Sequence, residues 1–490
     1  MTEITIIKDL HALRPASSGS YRVFVCTEHG EVYNDTGSGW VEIANQTHVH
    51  LNDHAAIHTH YSATTLFVAA TNASQDMKDI ADYTCDGVAD EVQINAAIAA
   101  LPLNGGIVEL SYGTFTIADP IAWTKADVII KGHGKDATVI NVASGENCNA
   151  VAMGDGVTQV VYPTIHDLKL TTHSANTSGS GVVAEYAYGL LIYNTAIVGF
   201  PEYGIYGGAD ADASNYAMIF NNFISSNDLH GIWLRGFMPA SQIVGNFIHS
   251  NGTAATDSAG LRLTASQCAV VGNRFANNIG HGIHNSGDDN IISNNHIIGH
   301  QRHGILTDTA GIDATIIIGN LISSFSEETD NTYSGIKLTA VTYNSIMGNT
   351  IKGSSIGKYC IEETGASDNN VISGNTCQDF VTGAIIKVGA ATRVSNNPGH
   401  VTENTVLSGT FTIDSTGVKT VTIAHGLAVT PALKDCTVTV TEDTDVDDWA
   451  FSLLKVESVG ATNVVAKINV STASATGGAT AKLGLMVVVI

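Results

Sequence analysis

The sequence predicts an all-β protein built around a parallel β-helix, and three observations carry that prediction. One short motif recurs through the middle of the chain, with Asn222, Asn246, Asn273, Asn295, Asn320, Asn349, Asn375 and Asn397 at its centre and Thr195 in the equivalent place one coil earlier. Each centre has Ile or Val three residues before it, Gly or Asn immediately before it, and a residue such as Ile197, Ile248 or Cys377 two after. The intervals run from 22 to 29 residues, which is the period of a solenoid. Between the centres, β-branched residues alternate with polar ones in runs of four or five, too short for helical repeats. Asn and Gly enter the left-handed backbone region cheaply, so each pair bends a coil, and stacked Asn side chains can bond neighbouring coils.

Taken in order, the chain begins with a small β module over residues 1–65: Tyr21 to Thr27 and Glu31 to Tyr33 alternate, Asn34 to Gly39 turns, and Trp40 to Ile43 returns. His48, His50, His54, His58 and His60 follow. In extended chain, residues two apart share a face, so each His-X-His pair presents two nitrogens in one direction. These pairs read either as a hydrated linker or, with three chains around an axis, as an octahedral site for a transition metal. Residues 66–400 form the solenoid. Asp76 to Tyr83 and Asp90 to Leu101 read as helices, the second with Val92, Ile94, Ala97, Ile98 and Leu101 as its apolar stripe and Asp90-Glu91 favouring its N-terminus. Leu103 to Gly106 then turns into the strand Ile107 to Leu110. In residues 401–490 the Asn motif stops and Val/Thr alternation takes over, as in Lys419 to Ala424 and Val464 to Val470, which reads as a compact β-sandwich.

Composition limits the function. Lys+Arg number 22 against 46 Asp+Glu, a net charge of −24, which argues against nucleic acid or anionic lipid as partner. Yet charged residues are only 14% of the chain, and the surface left to Gly, Ser, Thr and Asn suits sugars. No apolar run reaches membrane-spanning length, so no membrane insertion is expected, and Met1 to Pro15 lacks the apolar core of a signal peptide. Seven scattered cysteines read as small buried hydrophobes rather than disulfides, in a chain made in a reducing cytosol.

The run DYTCDGVADEVQINAAIAALPLNGGIVELSYGTFTI, residues 82–117, resembles the N-terminal cap of the pectate-lyase-like right-handed β-helix superfamily, notably bacteriophage tailspikes and virion-associated depolymerases. The resemblance covers roughly residues 70–400. It implies a helical cap within residues 76–101 that plugs the open end of the solenoid. It further implies a homotrimer in the phage virion, attached to tail or baseplate through residues 1–65, where the His48-His50 and His58-His60 pairs can hold a metal on the trimer axis. The C-terminal domain would join three chains or bind glycans. Absent from the coils is the stacked Asp trio by which calcium-dependent pectate lyases are recognised, so no cofactor is expected for catalysis.

A second motif marks another strand in each coil, beginning Gly204-Ile205, Gly231-Ile232, Gly260-Leu261, Gly282-Ile283, Gly304-Ile305 and Gly335-Ile336 and continued by Cys360-Ile361. With Ile inward, the next residue points outward, giving the stripe Tyr206, Trp233, Arg262, His284, Leu306, Lys337 and Glu362, with Arg235 and Asp308 two residues further on the same face. Loop lengths single out the same face: Asn246 to Gly260 takes 14 residues and Asn320 to Gly335 takes 15, where most coils take nine. These walls, around Thr253 to Ser258 and Ser326 to Thr332, bring Glu327 and Glu328.

Tyr206 and Trp233 suit stacking on sugar rings, and Arg235, Arg262 and Lys337 suit acidic groups of a host surface polysaccharide. Hydrolysis needs two carboxyl groups, for which Asp308 with Glu362, or with Asp288 or Asp289, are candidates. Elimination needs a base and a cation, for which His284 and Arg262 serve. Hydrolysis is the preferred of the two. His230, His281 and His303, just before the glycines, form a ladder that suits a metal or substrate site, but Ala259 interrupts it, and they read rather as solvated turn residues. The alternative to a depolymerase is a fibre or decoration protein that recognises glycan without cleaving it.

Overall fold

The computed structural model describes residues 64–400 apart from 155–156, 209–215, 237, 254–256 and 310–312; outside that span it describes only the backbone of strands. The chain divides into two compact units, Met1–Ala63 and Thr64–Ile490. In the first, the strands Thr5–Asp9, Arg22–Cys26, Val32–Asp35 and Trp40–Ala44 form one sheet in that order. His48, His50, His58 and His60 lie outside the described residues.

The second unit contains a parallel β-helix with three strands per coil, stacked into sheets of 14, 11 and 11 strands. The Ile-x-x-Asn segment supplies the first sheet, the residues just after Asn the second, and the Gly-Ile segment the third. Within each strand the apolar residue turns inward: Ile192, Ile219, Ile243, Val270, Ile292, Ile317, Ile346 and Ile372 are all fully buried.

The Asn ladder holds as expected. Asn320 Oδ1 accepts from Asn295 N at 3.0 Å and Asn295 Nδ2 at 3.0 Å, while Asn320 Nδ2 donates to Ile292 O at 2.9 Å and Asn349 Oδ1 at 2.9 Å. The left-handed residue is the one before the ladder position: Asn194, Asn221, Gly245, Gly272, Asn294, Gly319, Gly348, Gly374 and Asn396 all have φ between 47° and 69°. That requirement restricts the position to Gly or Asn. Another ladder, Asn227, Asn251, Asn278 and His300, runs down the other end of the second sheet through bonds such as Asn251 Nδ2 to Asn278 Oδ1 at 3.0 Å.

At the N-terminal end the helices are Gln75–Asp79 and Glu91–Ala100, and Tyr83, expected in a helix, lies in the strand Tyr83–Thr84. Ile94, Ala97, Ile98 and Leu101 are buried as the stripe predicts, but Val92 is exposed. Asp90 and Glu91 do more than favour the helix terminus. Asp90 accepts from Thr116 N at 2.7 Å and Gly87 N at 2.8 Å, and Glu91 from Ala118 N at 3.0 Å, tying the helix to the first coil. Beyond residue 400 the strands form two antiparallel three-stranded sheets, one of Thr405–Thr412, Thr480–Val487 and Val440–Glu442, the other of Gly417–Ala424, Asn463–Thr472 and Ala450–Val459.

One cysteine expectation is overturned. Cys360 and Cys377 form a disulfide with their Cα atoms 5.7 Å apart, whereas Cys85, Cys148 and Cys268 are free. The two are 17 residues apart in sequence, but Cys360 lies near the start of a third-sheet strand and Cys377 takes the place of the inward Ile of the second sheet one coil later, so the disulfide joins neighbouring coils.

Candidate functional site

The third sheet aligns the outward stripe in the expected register, Tyr206 with Trp233, Arg262, His284, Leu306, Lys337 and Glu362 in succession. Exposure is another matter, since His284 and Glu362 are 2% and 3% exposed. They face away from the core but lie beneath their neighbours.

His284 is the centre of a polar cluster. Its Nε2 lies 2.8 Å from Asp308 Oδ1, which also accepts from Ser286 Oγ at 2.9 Å. Its Nδ1 lies 3.0 Å from Arg262 Nη1. A guanidinium only donates, so Nδ1 carries the lone pair and Nε2 the proton shared with Asp308. Burial pushes the Asp308 carboxyl up, but the hydrogen bonds and charges around it, His284 first, outweigh burial and hold it below the ordinary carboxylate range.

The first long loop contributes Asp257, which sequence reasoning missed although it had marked the loop. Asp257 Oδ1 is 3.1 Å from Arg302 Nη1 and 3.2 Å from His281 Nε2, and Oδ2 is 3.7 Å from both Arg262 Nη1 and His284 Nδ1. The hydrogen bond from His281, with the nearby positive charges, keeps Asp257 ionised well below the usual range. Arg302, also missed, is held by Glu328 Oε2 at 2.9 Å, which accepts from Tyr333 Oη at 2.9 Å as well.

The histidines before the glycines are not solvated. His230, His281 and His303 are 8%, 3% and 4% exposed, and His281 stacks on His303 with centroids 5.3 Å apart. Ser334 N donates to His303 Nδ1 at 2.8 Å and Ala259 N to His230 Nδ1 at 3.0 Å, and desolvation keeps these rings neutral. The coils show no Cys or carboxylate cluster with metal spacing in sequence, and the structure brings Asp257 together with His281 and His284, whose ligand atoms lie within 4.8 Å of one another. Arg262 and Arg302 already bring two positive charges to those atoms, which opposes a cation there.

Beside this cluster lies an aromatic group. Tyr206 and Trp233 pack edge to face at 5.3 Å, Tyr203 joins both at 5.2 Å, and Arg235 donates to Tyr206 Oη at 2.6 Å with its guanidinium 5.6 Å from the Trp233 ring. Lys337 is half-buried in the stripe. Glu327 on the second loop is pushed upward by burial, with no charged neighbour contributing.

Three carboxylates do not join the cluster. Glu362 accepts from Ser334 Oγ at 2.6 Å and Lys358 Nζ at 2.9 Å, so it is held within its own corner rather than opposite Asp308. Asp288 and Asp289 shape a turn: Asp288 accepts from Asp313 N at 3.1 Å, and Asp289 has a left-handed backbone with φ 55°. Short polar side chains tolerate that conformation, so these two aspartates serve the turn although they lie one coil from Asp308.

The hand of the coil and its relatives follow from comparison. Residues 128–322 match the model of the right handed beta helix region. The solenoid is a right-handed parallel β-helix. No curated protein matches the chain by sequence. Among solved structures, the β-helix is similar to the tailspike protein gp49 from Pseudomonas phage LKA1, with TM-score 0.54 and 12% identity over 81% of this chain and 92% of that one. It is similar to the Pseudomonas phage phi297 tailspike gp61, with TM-score 0.53 and 11% identity over 81% and 92%. The A-module of the mannuronan C-5 epimerase AlgE6 from Azotobacter vinelandii gives TM-score 0.52 and 20% identity over 64% of this chain and 96% of that one. At these identities the likeness is one of fold. The structural neighbours of this β-helix are thus phage tailspikes and polysaccharide-acting enzymes. Among the described residues, no helix is long and apolar enough to cross a membrane.

Proposed function

We propose that this protein is a phage tailspike that binds a host surface polysaccharide along the third sheet of its β-helix and cleaves it by β-elimination at His284. The observation that carries the reading is the placement of His284 between Asp308 at 2.8 Å and Arg262 at 3.0 Å. Asp308 fixes the ring so that Nδ1 is the free base. When Arg262 turns to a bound sugar, Nδ1 takes the proton from the carbon beside the ring carboxylate. The electron pair forms a carbon–carbon double bond, the bond to the glycosidic oxygen breaks, and Arg262 stabilises the negative charge on the carboxylate side. That oxygen leaves with a proton drawn from water.

Hydrolysis receives less support than the sequence suggested. It needs one protonated carboxyl beside an ionised one, but Asp257 and Asp308, the carboxyls around His284, are both held ionised and Glu362 is bound to Lys358 and Ser334, which leaves Glu327, pushed upward by burial, as the candidate acid. The test is incubation of purified protein with host capsule or lipopolysaccharide. An unsaturated uronate absorbance is expected; new reducing ends without it would replace elimination by hydrolysis. The alternative is a fibre that binds glycan without cleaving it, for which the Tyr203, Tyr206 and Trp233 group offers a stacking surface. Binding with neither product would establish that alternative.

In this reading three chains assemble side by side, residues 1–65 join the tail or baseplate, the helix Glu91–Ala100 caps the solenoid, and the two C-terminal sheets pack as a sandwich. The outer face of the first sheet supports the assembly. Its two outward columns carry no charge from Leu191 and Tyr193 to Val371 and Ser373, in a chain of net charge −24. Met218, Val244, Ile291, Ile318 and Val371 are 37–42% exposed along it. An uncharged face with apolar side chains exposed along it is the kind of surface that marks an interface. Ile318→Asp is expected to yield monomers by light scattering with an unchanged circular dichroism spectrum. A wild-type protein that is itself monomeric, or a variant that stays trimeric, would remove this face from the interface.

A further inference from the structure

Asp257 is the most exposed member of the cluster, its side chain 57% accessible, yet four groups converge on its carboxylate. The receiving groups are far better supported than the carboxylate they receive. Arg302 is anchored by Glu328 at 2.9 Å, which Tyr333 holds in turn. His281 is stacked on His303, which is itself fixed by Ser334 N at 2.8 Å. Arg262 extends from a third-sheet strand, with its guanidinium 5.9 Å from the Trp233 ring. The side chains of His281, Arg302 and Arg262 are 4%, 19% and 25% accessible. The arrangement is therefore a built receptor for a planar two-oxygen anion, and the anion now in it comes from a loop insertion.

We propose that Arg262, Arg302 and His281 form the subsite for the ring carboxylate of a uronate, and that Asp257 occupies it as an internal stand-in when no glycan is bound. The proposal rests on the acidic-polysaccharide reading above and deepens it by naming the groups that hold the acid. Two guanidiniums and one imidazole N–H match the two oxygens of a carboxylate. The subsite borders His284 Nδ1, 3.7 Å from the present carboxylate, so a sugar acid bound there would bring its neighbouring carbon to the base. Binding requires the Asp257 side chain to turn out to solvent, which its exposure permits.

An internal occupant weakens apparent affinity by the fraction of time the site is free, so an occupant present nine-tenths of the time costs about tenfold. Calorimetric titration of the full chain with glucuronate, galacturonate and mannuronate, and with glucose as neutral control, tests this. Asp257→Ala is expected to bind at least one uronate about tenfold more tightly than wild type, with no gain for glucose. Adding Arg302→Gln to Asp257→Ala should abolish the gain. Thermal melts of both variants accompany the titrations, and Asp257→Asn, which keeps the side-chain volume, replaces Asp257→Ala if the alanine variant does not fold. Uronate affinity unchanged or weakened in the folded variant would overturn the proposal. So would stoichiometric binding of zinc by wild type that Asp257→Ala removes. Tighter uronate binding without any elimination product would leave the subsite standing and remove the chemistry. Elimination without tighter binding would do the reverse.

Discussion

Replacing Asn320 with alanine is expected to lower the unfolding free energy by about 3–6 kcal/mol, because several buried polar groups lose their partner at once. Asn320 is 1% exposed in the middle of the ladder. Its oxygen accepts from the backbone and side chain of Asn295, and its amide donates to Ile292 O and Asn349 Oδ1. Alanine leaves the Asn295 N–H without an acceptor in a corner sealed from water. Asn320→Thr should lose about half as much. In the natural case the Thr195 hydroxyl donates to its own neighbour Tyr193 O, at 2.9 Å, in place of the bond to the coil before that a ladder amide makes. Urea unfolding followed by circular dichroism measures both. A loss below about 1 kcal/mol for alanine would mean that packing of the inward Ile column, and not the ladder, carries the stability.

Asp308→Asn is expected to reduce cleavage by a factor on the order of 10²–10⁴ while leaving the melt unchanged. An asparagine amide can donate to His284 Nε2, which drives the ring proton to Nδ1 and removes the lone pair that acts as base. The side chain keeps its shape, and the Ser286 hydroxyl, which donates to the same carboxylate oxygen in the native site, can rotate to accept from the amide, so the fold loses little. Glu362→Gln should show the opposite pattern. Glu362 is buried and paired with a partly exposed Lys358, so breaking the pair is expected to cost about 1–3 kcal/mol in stability with cleavage retained. Initial rates of unsaturated-product formation and thermal melts on the same preparations separate the two. Full activity in Asp308→Asn would remove the Asp308–His284 pair from the mechanism.

The parts of the fold that repeat were readable from the chain, because each coil restates one local requirement: an inward β-branched residue, a left-handed residue, a buried amide. The same repetition aligned Tyr206 to Glu362 correctly, since parallel register is set by the corners. What could not be read was depth. Nothing in the spacing says that His284 would be roofed by Arg262 and Asp308, or that His281 and His303 would stack beneath the rim. Asp257 and Arg302 were hidden for a related reason: they are 45 residues apart and meet only where an irregular loop crosses coils. The Asn227, Asn251 and Asn278 ladder was legible in principle, each residue falling five after a main ladder position. Cys360 and Cys377 were missed because a whole first-sheet strand, Val371–Ser373, lies between them in sequence, and spacing gives no hint that strands of two other sheets aim at one point.

The corner between the first and second sheets holds two residues in every coil from Asn194-Thr195 to Gly374-Asn375, while the loops carrying Asp257 and Glu328 lie on another side. Whole coils are therefore interchangeable units. Deleting or duplicating one leaves the amide rail continuous and slides everything beyond it by one strand spacing, about 4.8 Å. The separation between these two loops can change only in such steps, so under the proposed function the length of sugar chain they would frame is quantised by the backbone itself.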